Sequence, residues 1–130
     1  MAIKYAPQIG SIILCDYRGS IAPEMNKKRP VVVIANVSHR LCVVVPLSTT
    51  QPLDIEPWHK LVLTTDPLPE PYNATTHWAK CDMIYTASFD RLTLPFKGKD
   101  AQGKRIYDIK QVSADELRQI KEGILSVVSP

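Results

Sequence analysis

The 130-residue sequence predicts a mainly β fold of the α+β class: a small, mostly antiparallel β-barrel or curled sheet carrying one C-terminal helix. Three observations predict it. Proline counts 11 against 5 glycines, a bias that works against long helices. Two β-branched runs, Val31 to Ala35 and Leu41 to Val45, are apolar at every position and too short for a typical helix, so they read as buried strands. Near the C-terminus, Ser113 and Glu116 form the S-x-x-E of a helix-capping box, with Val112 and Leu117 at the positions of a hydrophobic staple.

The elements follow in order. Ser11 to Tyr17 comes after Gly10 and is rich in β-formers, which makes a first strand. Arg18 to Pro30 reads as a loop, punctuated by Pro23 and Pro30 and basic in its distal half at Lys27, Lys28 and Arg29. The two apolar runs are joined by a turn over 36–40. Pro52 to Tyr72 contains Pro52, Pro57, Pro67, Pro69 and Pro71, so most of it is loop, with strand character only from Lys60 to Thr65. Thr76 to Tyr85 returns to a strand pattern, and Phe89 to Leu94 adds a short strand. Lys97 to Arg105 is a charged turn containing Gly98 and Gly103, across which Ile106 to Ile109 pairs as a hairpin. In the final helix Leu117, Ile120, Ile124, Val127 and Val128 recur at helical spacing and dock one face on the sheet.

The length corresponds to one domain over residues 1–130, and 45% hydrophobic against 22% charged residues excludes a disordered chain. A balance of 16 Lys and Arg to 13 Asp and Glu, net +3, permits a polyanion partner without demanding one. The apolar runs fall far short of the ~20 residues of a transmembrane helix. Pro7, Gln8, Gly10 and Ser11 interrupt any signal-peptide core, so a cytoplasmic location is expected. Cys15, Cys42 and Cys81 are odd in number and widely spaced, which argues against a disulfide framework and a structural zinc site.

Three segments carry candidate chemistry. If Thr76 to Met83 is one strand, period-2 alternation sets Thr76, Trp78, Lys80 and Asp82 on one face and His77, Ala79, Cys81 and Met83 on the other. The second face suits the core, and Cys81 is then a buried, inert thiol. The first lines up an indole, an ammonium and a carboxylate, either as a solvated outer face or as a ligand surface. Lys27, Lys28 and Arg29 stand at a strand entry, and Pro30 restricts Arg29 to extended geometry. A fixed arginine holds phosphate with two parallel hydrogen bonds, although such clusters are also common as solvated turns. Where the partner strand stops, Ser48, Thr49 and Thr50 present three hydroxyls, for phosphate or for turn backbone. His39, His59 and His77 are scattered outside any nucleophile motif and read as structural or exposed.

Gly10-Ser11-Ile12-Ile13, Asp16-Tyr17, Glu24 through Arg29-Pro30-Val31-Val32-Val33-Ile34, Val44-Val45-Pro46-Leu47-Ser48-Thr49 and Lys80-Cys81-Asp82 together resemble, in that order, the MazF/PemK family of toxin ribonucleases. The resemblance implies an SH3-like barrel of the CcdB/MazF type with a C-terminal helix. It also implies a homodimeric toxin of a type II toxin-antitoxin system that cuts single-stranded RNA, including mRNA, with no metal or other cofactor. An acidic, partly disordered antitoxin would occupy the RNA groove. By position, Arg29 matches the family's catalytic arginine, Ser48 its catalytic threonine with Thr49 the next hydroxyl, and Asp82 the carboxylate proposed as general base. Lys80 stands where relatives carry arginine, exchanging a planar fork for a point charge. Glu24, Lys27, Lys28, Thr76 and Trp78 complete the implied RNA-binding set. Two other outcomes remain on the same fold: a topoisomerase poison like CcdB, and a catalytically silent binder of RNA or antitoxin.

Overall fold

A computed structural model describes residues 1–129. The apolar runs form neighbouring antiparallel strands β1 (Ser11–Asp16), β2 (Lys28–Asn36) and β3 (Leu41–Ser48). There follow β4 (His59–Leu63), β5 (Thr76–Lys80), β6 (Tyr85–Ser88), β7 (Leu92–Thr93), β8 (Phe96–Lys99), β9 (Arg105–Tyr107), β10 (Lys110–Gln111) and helix α1 (Ala114–Val128). The main sheet runs β10-β1-β2-β3-β5-β4, while β6 returns to pair with β3 and β7 with β1. It is therefore strongly curled, and β10 and β4 remain as open edges: the small-barrel class holds without full closure.

Successive residues of β1, β2 and β3 enter two different cores. Ile13, Val31, Val33 and Val44 belong to one, covered by Ala87, Phe89 and Leu92 where the sheet folds back. Ile12, Val32, Val45 and Leu47 belong to the other, covered by Ile120 of α1 with Leu117 and Ile124 at its margin. Burial on both faces explains why these strands read as unbroken apolar runs.

The capping box is complete: Ser113 Oγ accepts from the Glu116 N–H at 3.1 Å, and Glu116 Oε1 accepts from the Ser113 N–H at 2.9 Å. The second Glu116 oxygen accepts from the Leu63 N–H at 2.8 Å, tying the start of α1 to edge strand β4. At the far end α1 overruns the sheet. Val127 and Val128 are exposed, because helical spacing marks a face without marking where the surface beneath it stops.

Several expected boundaries shift. β2 starts at Lys28, since its ladder with β1 continues past Pro30 through Arg29 and Lys28. β5 ends at Lys80, and Cys81–Met83 is a single 3-10 turn. Cys81 consequently enters the helix-side core while Met83 packs on the other, although simple alternation puts both on one face. Phe89–Arg91 is likewise a 3-10 turn, leaving only Leu92–Thr93 as strand. The 97–105 turn is mostly hairpin: β8 pairs with β9, and the Arg105 guanidinium lies 4.3 Å from the Phe96 ring centroid. Among the described residues no helix is long and apolar enough to cross a membrane.

Candidate active site at the ends of β2 and β3

Register assembles the first group. The β2–β3 ladder ends at Val31 opposite Pro46, so Arg29 and Ser48 each stand two residues beyond its last pair, on neighbouring strands. Ser48 pairs with Trp78 on β5, and Trp78 with Leu61 on β4. Cross-strand partners share a face, so Ser48 and Trp78 form one row, and alternation outward from the Val31–Pro46 pair puts Arg29 on the same face. Thr76 and Lys80 flank Trp78 on that face of β5, opposite Leu63 and His59 respectively.

Arg29 is half-buried and, among the described residues, makes no ion pair; its Nε is buried without a hydrogen-bond partner. Buried polar groups are nearly always satisfied, so an idle guanidinium marks a place for an anion. Ser48 is 5% exposed, and its Oγ accepts from the Thr50 N–H at 3.2 Å. That bond fixes the oxygen and leaves the Ser48 O–H free to donate. Tyr17 lies within reach of the Arg29 charge, its ring centroid 5.4 Å from that of Tyr85. Burial pushes the Tyr17 phenol far up, and its hydroxyl has no well-aligned partner, with the Cys15 thiol beside it.

The loop after β1 is held in place around this row. Arg91 Nη1 donates to the Asp16 and Arg18 carbonyls at 2.8 and 3.2 Å. The Arg18 guanidinium, 2.6 Å from the Asp16 carboxylate, holds that carboxyl down at about 2. Glu24 Oε1 accepts from the Ile21 N–H at 2.8 Å, and Met25 plugs the core. Between this loop and the Cys81–Met83 turn lies a cavity of about 400 Å³ lined by Tyr17, Glu24, Met25, Asp82 and Tyr85, among others. Asp82 thus lines the same cavity as Glu24, having left the Trp78 row because the 3-10 turn interrupts strand alternation.

A second cavity, of about 300 Å³, lies beside the same strand ends and brings Lys27, Lys28 and Arg29 together with Thr49, Tyr72 and His77. His77 is 1% exposed, neither ring nitrogen has a hydrogen-bond partner, and burial lowers its pKa from the ordinary 6.5. The sequence offers one signal for it: an imidazole within the inward set of His77, Ala79 and Cys81. Cys81 itself is buried, its thiol pushed up to about 12 by desolvation, and stays unreactive.

The anticipated residues therefore fall into three overlapping groups. Arg29 shares a row with Ser48 and Trp78 and a cavity wall with Lys27, Lys28 and Thr49, while Glu24 and Asp82 share the acidic cavity. Thr76 and Lys80 stay on the Trp78 face of β5 and line neither cavity.

Comparison with known proteins agrees with this architecture. Residues 8–128 match the family described as PemK-like, MazF-like toxin of type II toxin-antitoxin system. The chain is 30% identical over 112 residues to protein YifN of Escherichia coli strain K12, covering 71% of this chain and 75% of that one. MazF from Deinococcus radiodurans superposes with a TM-score of 0.66 at 13% identity, over 98% of this chain and 100% of that one. A mycobacterial endoribonuclease, solved in complex with its cognate antitoxin, superposes with a TM-score of 0.62 at 20% identity, over 96% and 98%. The two superpositions extend over nearly the whole fold, and with the family match spanning residues 8–128, the chain belongs to the PemK-like, MazF-like toxins of type II toxin-antitoxin systems.

Proposed function

We propose that this toxin is an endoribonuclease that cuts single-stranded RNA through the substrate's own 2′-hydroxyl, leaving a 2′,3′-cyclic phosphate and a 5′-hydroxyl. One observation carries the reading: a half-buried arginine with an idle Nε, on the same sheet face as a fixed serine hydroxyl at the end of the neighbouring strand. Such a reaction needs positive charge on the phosphorane, a base at the 2′-oxygen and an acid at the leaving 5′-oxygen. Arg29 supplies the charge and Ser48 donates its O–H to a non-bridging oxygen. Asp82 takes the 2′ proton from the adjoining cavity, and Lys80 stands on the Trp78 face as the cationic acid. Thr49 lies one residue beyond Ser48 on the opposite face, where it serves binding. Trp78 stacks a base, while Glu24, Lys27, Lys28 and Thr76 line the RNA path. No metal enters this scheme, because Arg29 and the lysines provide the charge.

The protein acts in the cytoplasm as a homodimer, and an acidic antitoxin segment covers the RNA groove. The antitoxin complex of the mycobacterial structural relative supports that partner. Labelled single-stranded RNA incubated with the purified protein in chelator, followed by end-group analysis, tests the chemistry. Cyclic phosphate and 5′-hydroxyl ends are expected. Intact RNA with folded protein, or 5′-phosphate ends, would overturn the reading and return the chain to a silent binder.

A further inference from the structure

The scheme above brings RNA past the 300 Å³ cavity of Lys27, Lys28, Arg29, Thr49, Tyr72 and His77 but names no part of it that enters there. His77 makes this cavity unusual. It sits on β5 opposite Val62, 1% exposed, with neither ring nitrogen hydrogen-bonded. One nitrogen lies near the Ala74 carbonyl, and the other, kept dry without a partner, forfeits the hydrogen bond it had in water, which leaves it open to a ligand donor.

The chemistry of the lining narrows what that is. Burial favours the neutral ring. A bare anion would ask for a protonated imidazole, which this setting disfavours. The Ala74 carbonyl is close enough to favour a proton on one ring nitrogen, which leaves the other as an acceptor. An acceptor beside an aromatic ring, under two surface ammonium groups, matches an amino-bearing nucleobase with its phosphate outside. Tyr72 provides the aromatic ring, and Lys27 and Lys28 provide the ammonium groups.

We infer that this cavity reads one adenine or cytosine of the bound RNA next to the cut, with His77 accepting from the exocyclic amine. The inference rests on the RNA reading above and adds a specificity determinant to it. Uracil carries no exocyclic amine and so lacks the donor that this contact reads. Arg29 lines the cavity and also belongs to the Ser48 row, so a base here is next to a phosphate there.

The test uses fluorescein-labelled 2′-O-methyl hexanucleotides of A, of C and of U, which lack the attacking hydroxyl, in equilibrium anisotropy titrations. Wild type should bind the A or C hexamer about tenfold tighter than the U hexamer, the size of one good base contact. His77→Phe, which fills the space without the acceptor, should bind all three alike. Should that variant fail to fold, the imidazole 15N resonances of wild-type His77 should move with the preferred hexamer and stay still with the U hexamer. Equal binding of all three by wild type, a preference that survives His77→Phe, or motionless His77 resonances would overturn this inference while leaving the RNA reading intact. Binding of none would overturn both.

Discussion

Ser48 on β3 stands directly across from Trp78 on β5, so a buried hydroxyl and a half-buried indole share one face of the curled sheet. The hydroxyl is pinned by the Thr50 N–H, whereas the indole continues the same face toward edge strand β4. A base stacked on Trp78 is held equally in ground state and transition state. Trp78→Leu should therefore raise KM about tenfold or more with a smaller change in kcat, given ~1–3 kcal/mol per stacked base. A fall in kcat at constant KM would place Trp78 in the chemistry instead.

Arg29→Ala should lower cleavage by on the order of 10²-fold or more, the scale for losing one preorganised charge at a developing anion. Thermal stability should hold, since the Arg29 side chain makes no ion pair among the described residues and its Nε bonds nothing. Cleavage rates and a melting curve on the same preparation check both. Full activity in a folded Arg29→Ala protein would remove the residue from the mechanism.

Ser48 and Thr49 are adjacent in sequence and differ in setting: Ser48 is buried in the Arg29 row, while Thr49 is exposed and lines the His77 cavity. Ser48→Ala should cost about 1 kcal/mol of stability through the lost Thr50 bond and also depress kcat. Thr49→Ala should leave melting unchanged and act mainly on KM. The opposite assignment of kcat and KM effects would make Thr49 the reacting hydroxyl.

How much of this is legible in the sequence depends on the kind of signal. Unbroken runs such as Val31 to Ile34 announce their strands, because burial on two faces removes any need for polar positions. The α1 start is equally plain, since Ser113 and Glu116 carry the cap in four residues. The neighbourhood of Arg29 and Ser48 is legible in part, since the two apolar runs read as partner strands, but the register that puts both on one face appears only in the ladder. Asp82 is misplaced by simple alternation because one 3-10 turn after Lys80 turns it into the cavity that Glu24 also lines. His77 is overlooked because its strand parity assigns it to the core; its idle nitrogens, and the arrival of Tyr72 from a proline-rich segment, appear only in three dimensions.

Acid should destabilise the protein through His77. Its folded-state pKa lies below the ordinary 6.5, so between those two values the unfolded chain binds a proton that the folded one does not. Stability is then complete above about pH 6.5 and falls as pH drops through the folded value. Melting temperature from pH 7.5 to 5.5 should decline more steeply for wild type than for His77→Phe. Asp16 acts in a separate window: its stabilisation, present above 3.8, drains only toward about 2, and its exposed pairing with Arg18 keeps the effect small. Parallel melting profiles for the two proteins would show that His77 stays protonated or reaches solvent.

Gly123 links the helix to the proposed base. A Cβ built there lies 2.8 Å from Cys81 Sγ and 3.2 Å from Cys81 Cβ, closer than side chains tolerate, because α1 presses directly on the turn that carries Asp82. Alanine normally gains about 1 kcal/mol over glycine inside a helix. Here the clash opposes it: forcing one extra carbon into a packed core typically costs ~1–3 kcal/mol. Gly123→Ala should therefore lower the melting temperature despite the better helix former. It should also reduce kcat, since relief of the clash displaces Cys81 and with it Asp82, while leaving affinity for an uncleavable RNA nearly unchanged. Removing the sulfur restores the space, so Cys81→Ala combined with Gly123→Ala should recover both stability and rate beyond the sum of the single effects. A Gly123→Ala protein as stable and active as wild type, or a double variant with no recovery, would show that helix packing does not set the position of Asp82.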